Sequence, residues 1–191
     1  MLIIEGSDLV GKTTLIKEIC TEATKRGFPM IPQHFGLLPD NWDFYQDYLD
    51  YINKRTVMDR FVLSEIVYGE ILREKSRITP RIWSHLNRHC VSGPGPGYDL
   101  STSMTVIIAA EPDFFKEHVH KQFEYRSEVF KEEQICNVND AFLMVMQTHR
   151  INEFEIEYDI AHEVQNDRDF PSSNPDFVEE IVETYLKLQG V

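Results

Sequence analysis

Residues 6–13 read GSDLVGKT, the pattern GxxxxGK[ST], directly after the apolar run Leu2, Ile3, Ile4. Few features restrict a chain's architecture as much. Glycines at both ends let the backbone curl so that successive N–H groups face one centre, and a helix beginning near Lys12 adds its positive dipole end. Such a loop holds an anion, and it belongs between a buried strand and a helix. Residues 2–5 supply the strand. Residues 13–25 supply the helix, with Leu15, Ile16, Ile19 and Ala23 at near-helical spacing before Gly27 and Pro29. Gly6, Ser7, Gly11, Lys12, Thr13 and Thr14 are therefore the expected contacts to ATP. Lys12 is placed to reach the β- and γ-phosphates, and the Thr13 hydroxyl to ligate Mg²⁺.

The remaining chain keeps alternating. Strands are expected at residues 29–32, 55–60 ("RTVMDR"), 105–110 ("TVIIAA") and within 156–164. Helices are expected at 41–53, rich in aromatics, and at 62–75, 80–91, from Pro112 onward and at 138–153. A final helix follows Asn174 as cap and Pro175 at its first position, with a stripe of Phe177, Ile181 and Leu188. "SGPGPG" at 92–97 is a loop. Apolar strands separated by helices imply a central parallel sheet of about five strands covered on both faces, a three-layer α/β/α architecture. A chain of 191 residues fits one such domain, residues 1–191.

Charge narrows the ligand. Acidic side chains outnumber basic ones 32 to 19, a net charge of -13, which repels nucleic acid but leaves room for a small anion held by local donors. Cys20, Cys90 and Cys136 form no CxxC pair, so buried free thiols are expected rather than a disulfide or zinc framework. No run approaches a membrane span and the first residues lack a secretory pattern. The expectation is a cytoplasmic protein with a small-molecule nucleotide partner, bound to neither nucleic acid nor membrane.

"EGSDLVGKTTL" (5–15) resembles the opening of the thymidylate kinase family, an acidic residue, Gly, any residue, Asp, two residues, then Gly-Lys-[Ser/Thr]-Thr. "DRFVLSEIVYG" (59–69) is similar to that family's Asp-Arg-aromatic segment, with Ser four residues after the Arg and an aromatic four after the Ser. The resemblance implies a P-loop kinase fold with a small lid near 118–135. It makes Arg60 the ligand of the acceptor phosphate and Asp8 the carboxylate near the sugar and that phosphate. Tyr68 falls beside the deoxyribose, Ser64 in the same acceptor segment, and Asp59 where it orients Arg60 or holds Mg²⁺-bound water. Phosphoryl transfer asks for these positions and charges more than for covalent work by the protein.

A kinase must also exclude water. In "HKQFEYRSEVFK" (120–131), Lys121, Arg126 and Lys131 are candidate lid cations. Leu9 stands where some family members carry an arginine in the loop, so the transition-state cation is expected from the lid, as Arg126. "EVQND" (163–167) resembles the turn that packs on adenine, through Asn166 and Asp167. His118 and His120 are expected to face solvent. His85, His89 and Cys90 lack the carboxylate of a hydrolase-type metal motif.

Two departures stand out. Where the family has Arg-Glu-Pro after its second strand, this chain has "PQHF" (32–35), and only 26 positions separate His34 from Arg60. The family's base-stacking Phe and base-reading Arg are displaced, leaving Phe35, Trp42, Phe44, Tyr45 and Tyr48 as candidates for stacking. The leading expectation is ATP- and Mg²⁺-dependent phosphorylation of a deoxynucleoside monophosphate, dTMP or a related or 5-modified pyrimidine nucleotide. The alternatives are a deoxynucleoside kinase acting on the 5′-hydroxyl, with Gln33 or His34 near that acceptor, and a non-catalytic NTP-binding module. Homodimers are common in the family and are an expected assembly.

Overall fold

Alternation along β1 (Leu2–Gly6) sends Leu2 and Ile4 to one face of a sheet and Ile3 to the other, and every one of them is buried. A computed structural model describes residues 1–36, 38–48, 51–91, 103–123, 131–166, 168–171 and 174–191. Arg126, Asp167 and the 92–97 loop lie outside the described residues.

Five parallel strands form the sheet in the order β2 (Ile31–His34), β3 (Thr56–Asp59), β1, β4 (Met104–Ala110), β7 (Ile160–Val164). Ile4 pairs with Asp59 and His34 with Asp59 on its other side, so three carboxyl-terminal strand ends meet at one edge. On the Leu2 and Ile4 face, Val57, Val106 and Ile108 pack under α1 (Lys12–Lys25), α4 (Pro112–Phe123) and α6 (Pro175–Leu188). On the Ile3 face, Met58 and Ile107 pack under α2 (Val62–Arg73), α3 (Pro80–Val91) and α5 (Glu132–Thr148). The three-layer α/β/α expectation holds. Asn174 caps α6 by accepting from the Phe177 amide at 3.2 Å. Among the described residues no helix is long and apolar enough to cross a membrane.

Three local expectations are corrected. Residues 41–48 form turns, not a helix, because Asp43 and Asp47 spend their carboxylates on the amides of Tyr45 and Asp43, both at 2.8 Å. Side-chain bonds of this kind compete with the helical ladder. Residues 149–155 leave the helix through left-handed His149 and form a short hairpin, β5 (Arg150–Ile151) with β6 (Phe154–Glu155). Cys20 and Cys136 are free but only half-buried.

Candidate active site

The loop between β1 and α1 is shaped by what it must avoid. A Cβ on Gly6 would lie 2.1 Å from the carbonyl oxygen of Ile108, and Gly6 has a φ of 149°, so no side chain fits there. Behind the loop, the fully buried Asn139 on α5 accepts from the Ala110 amide (2.8 Å) and donates to the Ala110 carbonyl (2.7 Å). Its carbonyl oxygen also accepts from the Ser7 hydroxyl at 3.4 Å. Asn139 thus joins the phosphate loop to the end of β4. It interrupts the apolar stripe Ile135, Val138, Phe142, which is the one sequence sign of its role.

Lys12 is buried, and its Nζ donates to the Ser7 carbonyl. Burial lowers its pKa to about 8, helped by nearby Arg60 and opposed by Asp8, Asp59 and Glu5. Phosphate oxygens would replace the missing solvation and restore the charge. The Thr13 hydroxyl donates to Asp59 Oδ2 at 3.3 Å, and His34 Nδ1 meets the same oxygen at 2.9 Å. Asp59 Oδ1 is buried without a hydrogen-bond partner. An orphaned carboxylate oxygen beside a threonine hydroxyl is a donor pair that fits Mg²⁺. Among the described residues no three His, Cys, Asp or Glu side chains cluster as a metal site, so nucleotide phosphates and water would supply the other ligands.

Arg60 is tied to this loop. Arg60 Nη2 donates to Asp8 Oδ1, the Tyr68 hydroxyl donates to Asp8 Oδ2 at 3.1 Å, and the guanidinium lies 4.7 Å from the centre of the Tyr68 ring. Burial holds the Tyr68 phenol well above its ordinary pKa of 10, so it stays a neutral donor. Arg60 Nε is buried and unpartnered. A cavity of about 300 Å³ is lined by Asp8, Lys12, Thr13, Asp59, Arg60 and His34, among others. Gly11 and Thr14 line it too.

Glu5 locks the two halves together. Its carboxylate accepts from the amides of Phe61 (3.0 Å) and Leu63 (3.2 Å) and from the Ser64 hydroxyl, capping α2 from the neighbouring strand. Burial pushes Glu5 up to about 7 despite these bonds and Lys12. Ser64 lines a second cavity beside Arg60, Tyr68, Phe35 and Tyr48. Phe35 is the hub of the aromatic group, with ring centroids of Trp42, Tyr48 and Tyr51 at 5.7, 5.4 and 5.1 Å. Phe44 stacks under Arg77, and Tyr45 packs on His85, away from that cavity's lining.

Asn166 follows the last strand of the sheet. It forms a turn, donating to Asp169 Oδ2 (2.6 Å) and accepting from the Arg168 amide (2.9 Å), and it lines a cavity of about 430 Å³. His118 corrects the sequence reading. Its ring lies between Phe114 and Phe170, at 5.8 and 5.2 Å, and lines both this cavity and the phosphate cavity. His120 is exposed, as expected. Of the candidate lid cations within the described residues, Lys121 pairs with Glu117 at 2.7 Å and Lys131 is the N-cap of α5.

No protein-family model and no curated protein sequence matches the chain. Solved structures do. The YorR protein of Bacillus subtilis, in complex with phosphorylated GDP, aligns with a TM-score of 0.61 at 18% identity, over 98% of this chain and 97% of that one. Polyphosphate kinase 2 from Arthrobacter aurescens TC1 aligns at 0.52 and 14% identity, over 98% of this chain and 66% of that one. The fold is that of the P-loop kinases. Within a P-loop kinase fold, ligands bind where β1 and β3 end, and Lys12, Thr13, Asp59 and Arg60 all stand at that edge.

Proposed function

We propose that this protein transfers the γ-phosphoryl group of ATP, with Mg²⁺, to a deoxynucleoside monophosphate, dTMP or a related or 5-modified pyrimidine nucleotide. One observation carries the reading: Lys12 of the phosphate loop and Arg60 of the acceptor segment line one cavity, bridged by Asp8. Lys12 and the loop amides hold the donor phosphates. Arg60, with its Nε unpartnered, holds the acceptor phosphate, and Asp8 with Tyr68 fixes the sugar. The donor base lies over His118 and Phe170, above Asn166. Mg²⁺ on Thr13 and Asp59 neutralises charge between the phosphates, and Arg126 of the lid adds the transition-state cation. The protein acts as a single domain in the cytoplasm, alone or as a homodimer.

His34 supports a second reading, a deoxynucleoside kinase, because a histidine paired with Asp59 lines the phosphate cavity where a hydroxyl acceptor would enter. ATP-dependent turnover with matched deoxynucleosides and monophosphates decides between the two. The expected result is diphosphate formation, with Arg60→Ala raising the acceptor KM by about tenfold to a hundredfold, the loss of a charge-assisted contact. Phosphorylation of nucleosides alone, or an unchanged acceptor KM in that variant, refutes the monophosphate reading.

A further inference from the structure

β2 is an edge strand of the sheet, and its last residue, His34, lies opposite Asp59, the last residue of β3. Residues paired across neighbouring strands send their side chains to the same face, and these two meet: His34 Nδ1 is 2.9 Å from Asp59 Oδ2. A carboxylate oxygen only accepts, so Nδ1 is the donor. The pair is lopsided. At the edge of the sheet the imidazole keeps 58% of its surface exposed, against 6% for the Asp59 side chain. Asp59 Oδ2 also accepts from the Thr13 hydroxyl at 3.3 Å, while Oδ1 is buried without a hydrogen-bond partner. At 3.3 Å the hydroxyl contact is long for O–H···O, so the imidazole is the tighter hold on the carboxylate.

One anchored oxygen settles two others. A hydroxyl that ligates a cation does so through its oxygen, and its proton then needs an acceptor; for Thr13 that acceptor is Asp59 Oδ2. With Oδ2 spent on Thr13 and His34, Oδ1 is the carboxylate oxygen left over. We propose that His34 is a positioning residue for Mg²⁺: by holding Asp59 Oδ2 it offers Asp59 Oδ1 and the Thr13 hydroxyl oxygen together to the cation. The imidazole does not itself ligate, since Nδ1 is committed to Asp59. Without it the carboxylate can turn about its Cβ–Cγ bond, and a half turn exchanges the two oxygens. Outer hydrogen bonds of this kind keep a ligating group in the orientation the ion requires, and losing one weakens metal affinity by about tenfold to a hundredfold. Because His34 is exposed, water can replace its donor, which places the effect at the low end of that range and leaves folding little changed. The inference rests on the reading of Thr13 and Asp59 as the Mg²⁺ donors.

Calorimetric titration with ADP in Mg²⁺, in Co²⁺ and in EDTA measures how far each metal tightens nucleotide binding to wild type, His34→Leu and His34→Asn. Leucine fills the space without a donor, and asparagine returns an N–H close to where Nδ1 stood. Metal is expected to tighten ADP binding to wild type. That tightening should fall about tenfold in His34→Leu, equally for Mg²⁺ and Co²⁺, and should largely return in His34→Asn. Binding in EDTA and the thermal midpoint, which a general loss of structure would lower, should stay at wild-type values. A tightening unmoved in His34→Leu overturns the role of His34 and leaves the metal site standing. A loss confined to Co²⁺, which nitrogen ligands hold better than Mg²⁺, makes His34 a ligand and overturns the positioning role as well. Wild type that binds ADP no better with metal than in EDTA overturns the reading of Thr13 and Asp59 as metal donors.

Discussion

Lys12→Met should stabilise the nucleotide-free protein while abolishing its response to nucleotide. Burial brings the Lys12 pKa from 10.5 to about 8. At about 1.4 kcal/mol per pH unit, keeping that ammonium charged at pH 7 costs on the order of 3 kcal/mol. Methionine has similar length and no charge to desolvate. The variant forfeits the bond from Nζ to the Ser7 carbonyl, a loss of about 1 to 2 kcal/mol. A net gain of about 1 to 2 kcal/mol raises the melting temperature by roughly 2 to 8 °C in a domain of this size. Because the folded pKa is depressed, the cost is complete below pH 8 and is relieved between about 8 and 10.5, so the advantage of the variant shrinks over that window. Thermal melting at pH 7, with and without MgADP, reads both effects. Wild type should gain stability with nucleotide and overtake the variant, whose melt should not move. A nucleotide-free variant no more stable than wild type at pH 7 would refute the account of Lys12 as a buried cation awaiting phosphate.

Two further outcomes follow from the anchors around the loop. Glu5 has a folded pKa raised from 4.5 to about 7, so the stability it contributes is present below 4.5 and is lost as pH rises through 7. Glu5→Gln, which can accept the same amides and donate to Ser64, should remove a fall on the order of 3 kcal/mol between those values. Parallel stability profiles for the two proteins over pH 4.5 to 8 would rule this out. Asn139→Leu strands both the amide and the carbonyl of Ala110, and should cost about 2 to 4 kcal/mol and raise the KM for ATP through Ser7. A denaturation midpoint matching wild type would contradict it.

What the sequence disclosed was whatever the backbone determines locally. The phosphate loop, β4 and the capped α6 were legible because glycine spacing, continuous apolar runs and an Asn-Pro start each impose one geometry on their own. The aromatic stretch from Trp42 to Tyr48 was misread as helix because its conformation depends on Phe35, several residues earlier, and on aspartates that bind amides within the turn. His118 looked like a surface residue until β7 and its following loop brought Phe170 against it. Glu65, Arg73 and Arg77 belong to no motif in the sequence. Only their convergence on one buried carboxylate, under a glycine, distinguishes them.

The register of β1 with β3 explains how the loop after β1 and the segment after β3 meet. Ile4 lies opposite Asp59, the Arg60 amide donates to the Ile4 carbonyl at 3.0 Å, and Glu5 one residue on gathers the start of α2. Each bond is between the strand that ends in the glycine-rich loop and the segment that begins with Arg60. Leu9 and Arg60 both hold left-handed backbone, with φ of 66° and 71°. That conformation is uncommon for such side chains and costs of order 1 to 3 kcal/mol each, so neighbouring contacts must over-determine it. For Arg60 those contacts are the Ile4 carbonyl, Asp8 and Tyr68. Straightening Arg60 would therefore separate its guanidinium from the loop as well as relax the chain. Sheet pairing thus sets the distance between the loop after β1 and the Arg60 guanidinium.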